Sequence, residues 1–226
     1  MSETSKTGRR GPNSSPRERA GSVSAIVLAG GRSSRFGSDK LAARYGDSTL
    51  LARAVSGVAA VSTEVIVVVA PGDDRQLPAA GVPVQRAIDP EPFGGPLVGL
   101  LAGLEVAREP IALVVGGDMP TLAPGVLRMM IGGLDASEGA RDAAVLVQRG
   151  EMRPLPCVLR NGAATQSARH LLGEGERSLL ALIRTLSVLS VAEGDWRPLD
   201  PTAATLLDVD LPGDLPSDPA GSRRHE

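Results

Sequence analysis

Apolar residues along this chain gather into short blocks separated by longer stretches of mixed character. Runs at Ser24 to Ala29, Val65 to Ala70, Ile111 to Val115, Ala143 to Val147, Leu155 to Leu159 and Val188 to Val191 have strand length. Their near-continuous Val, Ile, Leu and Ala content suits strands buried on both faces. Between them lie helical patterns over Thr49 to Ala60, Leu97 to Ala107, Pro124 to Gly132, Ala163 to Leu172 and Ser178 to Thr185. Pro124 stands where a first-turn proline is tolerated. Strands alternating with helices predict βαβ crossovers, hence an α/β fold with a mostly parallel twisted sheet and helices on both faces. Ligands of such sheets bind beyond the carboxyl ends of the strands, so the residues that directly follow strands carry the search for chemistry.

Composition narrows that chemistry. A chain of 226 residues with a net charge of −2 offers no electrostatic case for nucleic acid or an anionic membrane. Aromatic content is only 2%, so aliphatic residues must fill the core. Cys157 is the single cysteine, which excludes an internal disulfide and a cysteine-based zinc site. His170 falls in a predicted helix and His225 near the C-terminus, so no Ser/His/Asp arrangement can be assembled. Chemistry is left to carboxylates, basic residues and backbone amides. No apolar run reaches the roughly 20 residues of a membrane span. Residues 1–22 lack the apolar segment of a secretion signal and read as a disordered basic tail, and the proline-rich residues 216–226 as a second tail. The expectation is a cytoplasmic protein with one domain over 23–215.

After the first predicted strand comes Leu28-Ala29-Gly30-Gly31-Arg32-Ser33-Ser34-Arg35-Phe36-Gly37-Ser38-Asp39-Lys40. Small residues let backbone N–H groups approach an anion, and Arg35 and Lys40 can neutralise charge that develops there. The spacing fits neither a Walker A loop nor G-x-G-x-x-G. After the third run comes Gly116-Gly117-Asp118-Met119-Pro120, where Asp118 is either a metal ligand at the ligand edge of the sheet or a helix cap or turn residue. A hard Mg²⁺ takes few carboxylates plus phosphate oxygens. Asp208 and Asp210 share one face of a short extended segment and could supply a partner carboxylate, or could belong to a solvated turn before Pro212.

The glycine loop resembles the signature of nucleotidyltransferases that build nucleoside diphosphate derivatives, and is most similar to that of molybdenum cofactor guanylyltransferases. Further matches are Asp89 with the turn Gly94-Gly95-Pro96-Leu97-Val98-Gly99-Leu100, the Gly-Asp-Met-Pro segment at Asp118, the Arg153-Pro154-Leu155-Pro156 strand and the Gly175-Glu176-Arg177-Ser178-Leu179 helix entry. Together they span about residues 24 to 215. Two departures stand out: Ala70-Pro71 where the family carries Asn, and Leu211 where it carries Thr.

The resemblance implies a three-layer, Rossmann-like nucleotidyltransferase fold and transfer of GMP from GTP to the phosphate of molybdenum-bound molybdopterin, with release of pyrophosphate. It implies Arg35, Lys40 and Asp118 as catalytic residues, and nucleotide contacts from Leu28, Ala29, Gly30, Gly31, Lys40, Asp89, Gly95, Pro96, Leu97 and Asp118. Mg²⁺ is the implied cofactor, held by Asp118 and Asp210, and Arg153 and Arg177 are implied contacts for the anionic acceptor. The expected partners are GTP and a molybdopterin-type phosphorylated acceptor, with transient contacts to molybdoenzymes or cofactor chaperones. Neither nucleic acid nor membrane is expected. Rival readings are a cytidylyltransferase for the same cofactor, a phospholactate guanylyltransferase, or a non-catalytic GTP-binding module.

Overall fold

The computed structural model describes residues 22–30, 39–91 and 94–209. Nearly all of the two expected tails, 1–22 and 216–226, lies outside these residues. Nine strands are described: β1 (Val23–Leu28), β2 (Arg44–Tyr45), β3 (Ser48–Thr49), β4 (Glu64–Val69), β5 (Val84–Ile88), β6 (Ile111–Gly116), β7 (Ala143–Gln148), β8 (Glu151–Arg160) and β9 (Val188–Val191). The helices are α1 (Leu50–Ala59), α2 (Pro96–Val106), α3 (Pro124–Ala136), α4 (Asn161–Gly173), α5 (Leu179–Thr185) and α6 (Glu193–Trp196). Among the described helices, none is long and apolar enough to cross a membrane.

All six expected strands and all five expected helices form, and the additions have a common cause. β5 reads Val-Gln-Arg-Ala-Ile and lies at the sheet edge, where it needs no continuous apolar run. The front half of β8 and the two-residue strands β2 and β3 are likewise largely polar or half-exposed. The short α6 exists because Trp196 is fully buried and its indole N–H donates to the Val147 carbonyl at 3.0 Å.

The main sheet has seven strands in the order β5-β4-β1-β6-β8-β7-β9. All run parallel except β8, which is antiparallel to both β6 and β7. β7 and β8 form a hairpin whose two turn residues, Arg149 (φ 53°) and Gly150 (φ 80°), both have positive φ, the conformation that matches the twist of paired strands.

Alternation along the strands divides the core in two. Val23, Ala25 and Val27 of β1 pack with α1, α3 and Trp196 on one face. Ile26, with Ile66, Val68 and Val114, packs with α2, α4 and α5 on the other. The result is three layers, as expected for strands without a polar face. Because α1 carries the chain from β1 to one side of it and α2 brings it back to β6 on the other, the strand order reverses between β1 and β6. This is the switch point at which α/β sheets form their ligand crevice.

A polar cluster ties the opposite end of the sheet together. Glu64, 5% exposed, accepts from Ser24 Oγ at 2.6 Å, from the Arg108 N–H at 2.9 Å and from Gln85 Nε2 at 3.1 Å. Ser24 Oγ in turn accepts from the Glu109 N–H at 3.1 Å. One buried carboxylate therefore joins β1, β4, β5 and the connection from α2 to β6, with its burial compensated by hydrogen bonds.

Candidate active site

β1 and β6 end side by side at the switch point, and their exits are cross-linked. The Ala29 N–H donates to the Val68 carbonyl at 2.8 Å, and the Gly117 N–H to the Leu28 carbonyl at 2.9 Å. Leu28, Ala29 and Gly30 thus leave the sheet beside Gly116 and Gly117. Gly31 and Arg35 lie outside the described residues, and so does Asp210.

Asp39 accepts from the Leu41 N–H at 3.1 Å and caps a short 3-10 turn over Lys40–Ala42. That turn aims Lys40 back at the end of β6, where its ammonium lies 2.8 Å from Asp118 Oδ2. The lysine side chain is 13% exposed and the aspartate 30%, so the pair lines the crevice instead of lying in the core. Asp118 does not cap α3; Ala123 occupies that position and no side chain caps the helix. The turn alternative for Asp118 is thereby narrowed to a loop residue whose carboxylate is held by a cation. Gly116 is required by this geometry, since a Cβ there would collide with Asp118 Oδ1.

Asp89 closes the other side of the crevice. It is 9% exposed, and its Oδ1 accepts from the Glu91 N–H at 3.0 Å. Its Oδ2 faces Gly30 and Gly99, where added Cβ atoms would lie 3.9 Å and 3.3 Å away. Burial pushes the Asp89 carboxyl above the ordinary aspartate range, with the Glu91 N–H opposing the shift. Ala70, standing where the resembled family carries Asn, offers only its backbone beside Gly30. Next to Asp89, Gly95 has φ +95°, and a Cβ on it would stand 2.8 Å from Arg177 Cβ. Only glycine fits there, and Pro96 then opens α2. Leu97 is fully buried and its N–H donates to the Arg177 carbonyl at 3.2 Å, so its side chain belongs to the core and not to the crevice.

The C-terminal stretch is strapped to the same edge. Asp200, buried, accepts from the N–H groups of Ala204 at 3.0 Å and Thr205 at 2.7 Å. Thr205 Oγ1 accepts from the Ala123 N–H at 3.0 Å, and the Val209 N–H donates to the Asp118 carbonyl at 3.1 Å. This brings Asp208, exposed, to a cavity of about 230 Å³ that Asp118, Met119 and Arg153 also line. Arg177 is not there. Its Nη1 donates to the Leu172 carbonyl at 3.1 Å and its Nη2 lies 3.5 Å from Glu91 Oε2, so it clamps the end of α4 to the loop before α2.

A further cluster escaped the sequence reading. Arg75 binds both oxygens of Asp73, at 2.8 and 2.7 Å, and also lies 3.5 Å from Asp39, while Arg86 on β5 donates to the backbone carbonyls of Asp73 and Arg75. The hydrogen bond from Arg75 holds the Asp73 carboxyl below its usual range. The loop after β4 is thus fixed beside the turn that carries Lys40. The signal in the sequence is a single D-x-R string, Asp73-Asp74-Arg75, which has no meaning until β5 is placed next to it.

The model of the MobA-like NTP transferase domain matches residues 25–189. The chain is 33% identical over 196 residues to a probable molybdenum cofactor guanylyltransferase of Chloroflexus aggregans, covering 85% of this chain and 91% of that protein. It is 30% identical over 194 residues to the molybdenum cofactor guanylyltransferase of Desulfosudis oleivorans, covering 85% and 92%. Among solved structures it is similar in fold to molybdopterin-guanine dinucleotide biosynthesis protein A of Archaeoglobus fulgidus, with a TM-score of 0.68 and 19% identity over 85% of this chain and 94% of that one.

Proposed function

The chain belongs to the MobA-like NTP transferase family, and from that premise we propose that it transfers GMP from GTP to the phosphate of molybdenum-bound molybdopterin. The observation that carries the proposal is the Lys40–Asp118 pair at the switch point, facing the glycine exit of β1 and flanked by Asp89. It supplies one cation and one carboxylate where a triphosphate would lie, with a second carboxylate set apart for a base.

In this reading the exposed Gly30 leaves a flat base room against the backbone, and Asp89 accepts from the guanine N1–H and exocyclic amine. An ionised carboxylate suits that donor pair and not the amine-and-acceptor edge of cytosine. Arg35 and Gly31 join the triphosphate site on the strength of the signature loop alone. An acceptor phosphate oxygen then bonds to the α-phosphorus as the bond to the β-phosphate oxygen breaks, and pyrophosphate leaves with that electron pair. The acceptor is already ionised near neutral pH, so no general base is needed, in keeping with the lack of histidine among the described residues of the site. Lys40 offsets charge on the reacting phosphate and the leaving group, and the fixed backbone holds attacking and leaving atoms in line.

The donor set fits Mg²⁺. Asp118 and Asp208 offer hard carboxylate oxygens at one cavity, and Gly116 leaves the Asp118 carboxylate its space. Asp118, with Asp208 or Asp210, would hold the ion, which supplies Lewis-acid neutralisation of phosphate charge when bound.

The test is pyrophosphate release by the purified protein with molybdopterin-loaded acceptor and Mg²⁺, comparing GTP, CTP, ATP and UTP. Release with GTP alone supports the proposal. Release with CTP alone moves the protein to the cytidylyl reading, and GTP binding without release to the binding-module reading.

A further inference from the structure

The turn that carries Lys40 is short, and none of its residues Lys40–Ala42 is buried. A three-residue 3-10 turn of this kind does not hold its own shape, so its direction is set by what ties its two ends. The far end is tied to the core. The Leu50 N–H donates to the Ala43 carbonyl at 3.1 Å, and Leu41 packs beside Gly117, where an added Cβ would lie 3.3 Å from its side chain. The near end is Asp39, and it is met by Arg75. Arg75 Nη1 lies 3.5 Å from Asp39 Oδ1, the same oxygen that accepts from the Leu41 N–H and caps the turn.

The sequence after β4 explains why an arginine stands there. Ala70-Pro71-Gly72-Asp73 makes a turn in which the Asp73 N–H donates to the Ala70 carbonyl at 3.2 Å and Gly72 has φ +77°, with proline before it as a type II turn favours. Asp73 Oδ1 then accepts from the Arg75 N–H at 3.0 Å. The same carboxylate takes the Nε and Nη2 edge of the Arg75 guanidinium, and Arg86 on β5 grips the carbonyls of both residues. Backbone and side chain of Arg75 are thus fixed before Asp39 is counted. A planar guanidinium held along one edge presents its remaining donors in a set direction, and here Nη1 is presented to Asp39.

We infer that Arg75 is a positioning residue for Lys40: held by Asp73 and Arg86, it fixes Asp39 and so the direction in which the turn sends the Lys40 ammonium. This rests on the nucleotidyl-transfer reading and goes beyond it in bringing the loop after β4 into the reaction without contact to either substrate. The route is short. Asp39 directly precedes Lys40, whose ammonium lies 2.8 Å from Asp118 Oδ2 at the end of β6. Without the tie the turn can rotate about its far end, which costs alignment at the reacting phosphate more than it costs binding of GTP.

The experiment measures kcat for pyrophosphate release, GTP KM and thermal melting for wild type, Arg75→Gln, Asp39→Ser and each of these combined with Lys40→Ala. Serine keeps a cap on the turn but is too short to reach Arg75. Each single variant is expected to lower kcat by about tenfold and leave the GTP KM within about twofold. In the Lys40→Ala background neither should lower kcat by more than about twofold further, because the lysine through which Arg75 acts is gone. A kcat unchanged in either single variant, or the full loss repeated in the Lys40→Ala background, overturns the inference. Should Arg75→Gln fail to fold, Asp39→Ser, which leaves the loop after β4 intact, decides alone. If the wild type itself turns over no acceptor, the functional proposal is at fault, and acetylation of Lys40 by acetic anhydride, read by mass spectrometry, then judges the positioning by itself. Lys6 is the only other lysine of the chain and serves as the internal reference. Acetylation of Lys40 about fivefold or more faster relative to Lys6 in the variants supports the inference, and a ratio unchanged from wild type overturns it.

Discussion

The Lys40 ammonium and Asp118 Oδ2 meet at 2.8 Å although 78 residues separate them in the chain. Neither residue is placed by its own side chain. Lys40 is set by the Asp39-capped turn after β1, and Asp118 by the glycines that end β6 and by the Val209 N–H on its carbonyl. At the mouth of the crevice the ammonium and the carboxylate compensate one another's charge.

Lys40→Ala should lower kcat for pyrophosphate release by about 10²- to 10³-fold, the scale for loss of one aimed donor to developing negative charge. The melting temperature should hardly move, because the remaining Asp118 carboxylate is 30% exposed and can hydrate. A variant of full activity would remove Lys40 from the reaction.

Asp118→Asn should abolish the Mg²⁺-stimulated part of turnover, and chelation of the ion should bring wild type to the same residual rate. The comparison is a Mg²⁺ titration of both proteins with GTP and acceptor saturating. If the variant keeps the wild-type response to Mg²⁺, Asp118 serves only to hold Lys40.

Asp89 carries a pH prediction. Burial raises its folded-state pKa above the ordinary 3.8, so in the folded protein it takes up a proton at a higher pH than it does in the unfolded chain. Its ionised form costs folding stability above the raised value, and that cost is relieved as pH falls through it towards 3.8. GTP binding should show the opposite trend and weaken over the same interval, as the acceptor for guanine is lost. Asp89→Asn should remove this acid limb and raise the GTP KM by about 10- to 100-fold. A GTP affinity with the same acid limb in wild type and variant would exclude Asp89 from base recognition.

Glu64→Ala tests the far end of the sheet. It strands Ser24 Oγ, Gln85 Nε2 and the Arg108 N–H, and should cost about 2–4 kcal/mol in urea unfolding. KM values for GTP and acceptor should stay as they are, because the cluster lies at the opposite end of the strands from the crevice. A large KM change with little loss of stability would contradict the structural role.

Much of this protein is determined by sequence alone. Strands that are apolar at every position cannot be solvated on either side, so the runs around Ile26, Ile66 and Val114 require a three-layer arrangement. The glycine exit after β1 and the Gly-Gly-Asp after β6 follow from the same logic, since both must fall at the carboxyl edge. What tertiary structure decided is everything that depends on neighbours distant in the chain. β5 is visible only once an edge beside β4 exists for a half-polar strand to pair with, and the reversed direction of β8 follows from the two-residue turn at Arg149 and Gly150. Arg153 and Arg177 look alike in sequence, two arginines next to turn residues. The fold separates them, because the bulge in β8 carries one to a cavity that Asp118 and Asp208 also line, while the end of α4 and Glu91 hold the other. A side chain's chemistry is fixed by its type, but its availability depends on which groups the fold has already given it, and those come from elsewhere in the chain.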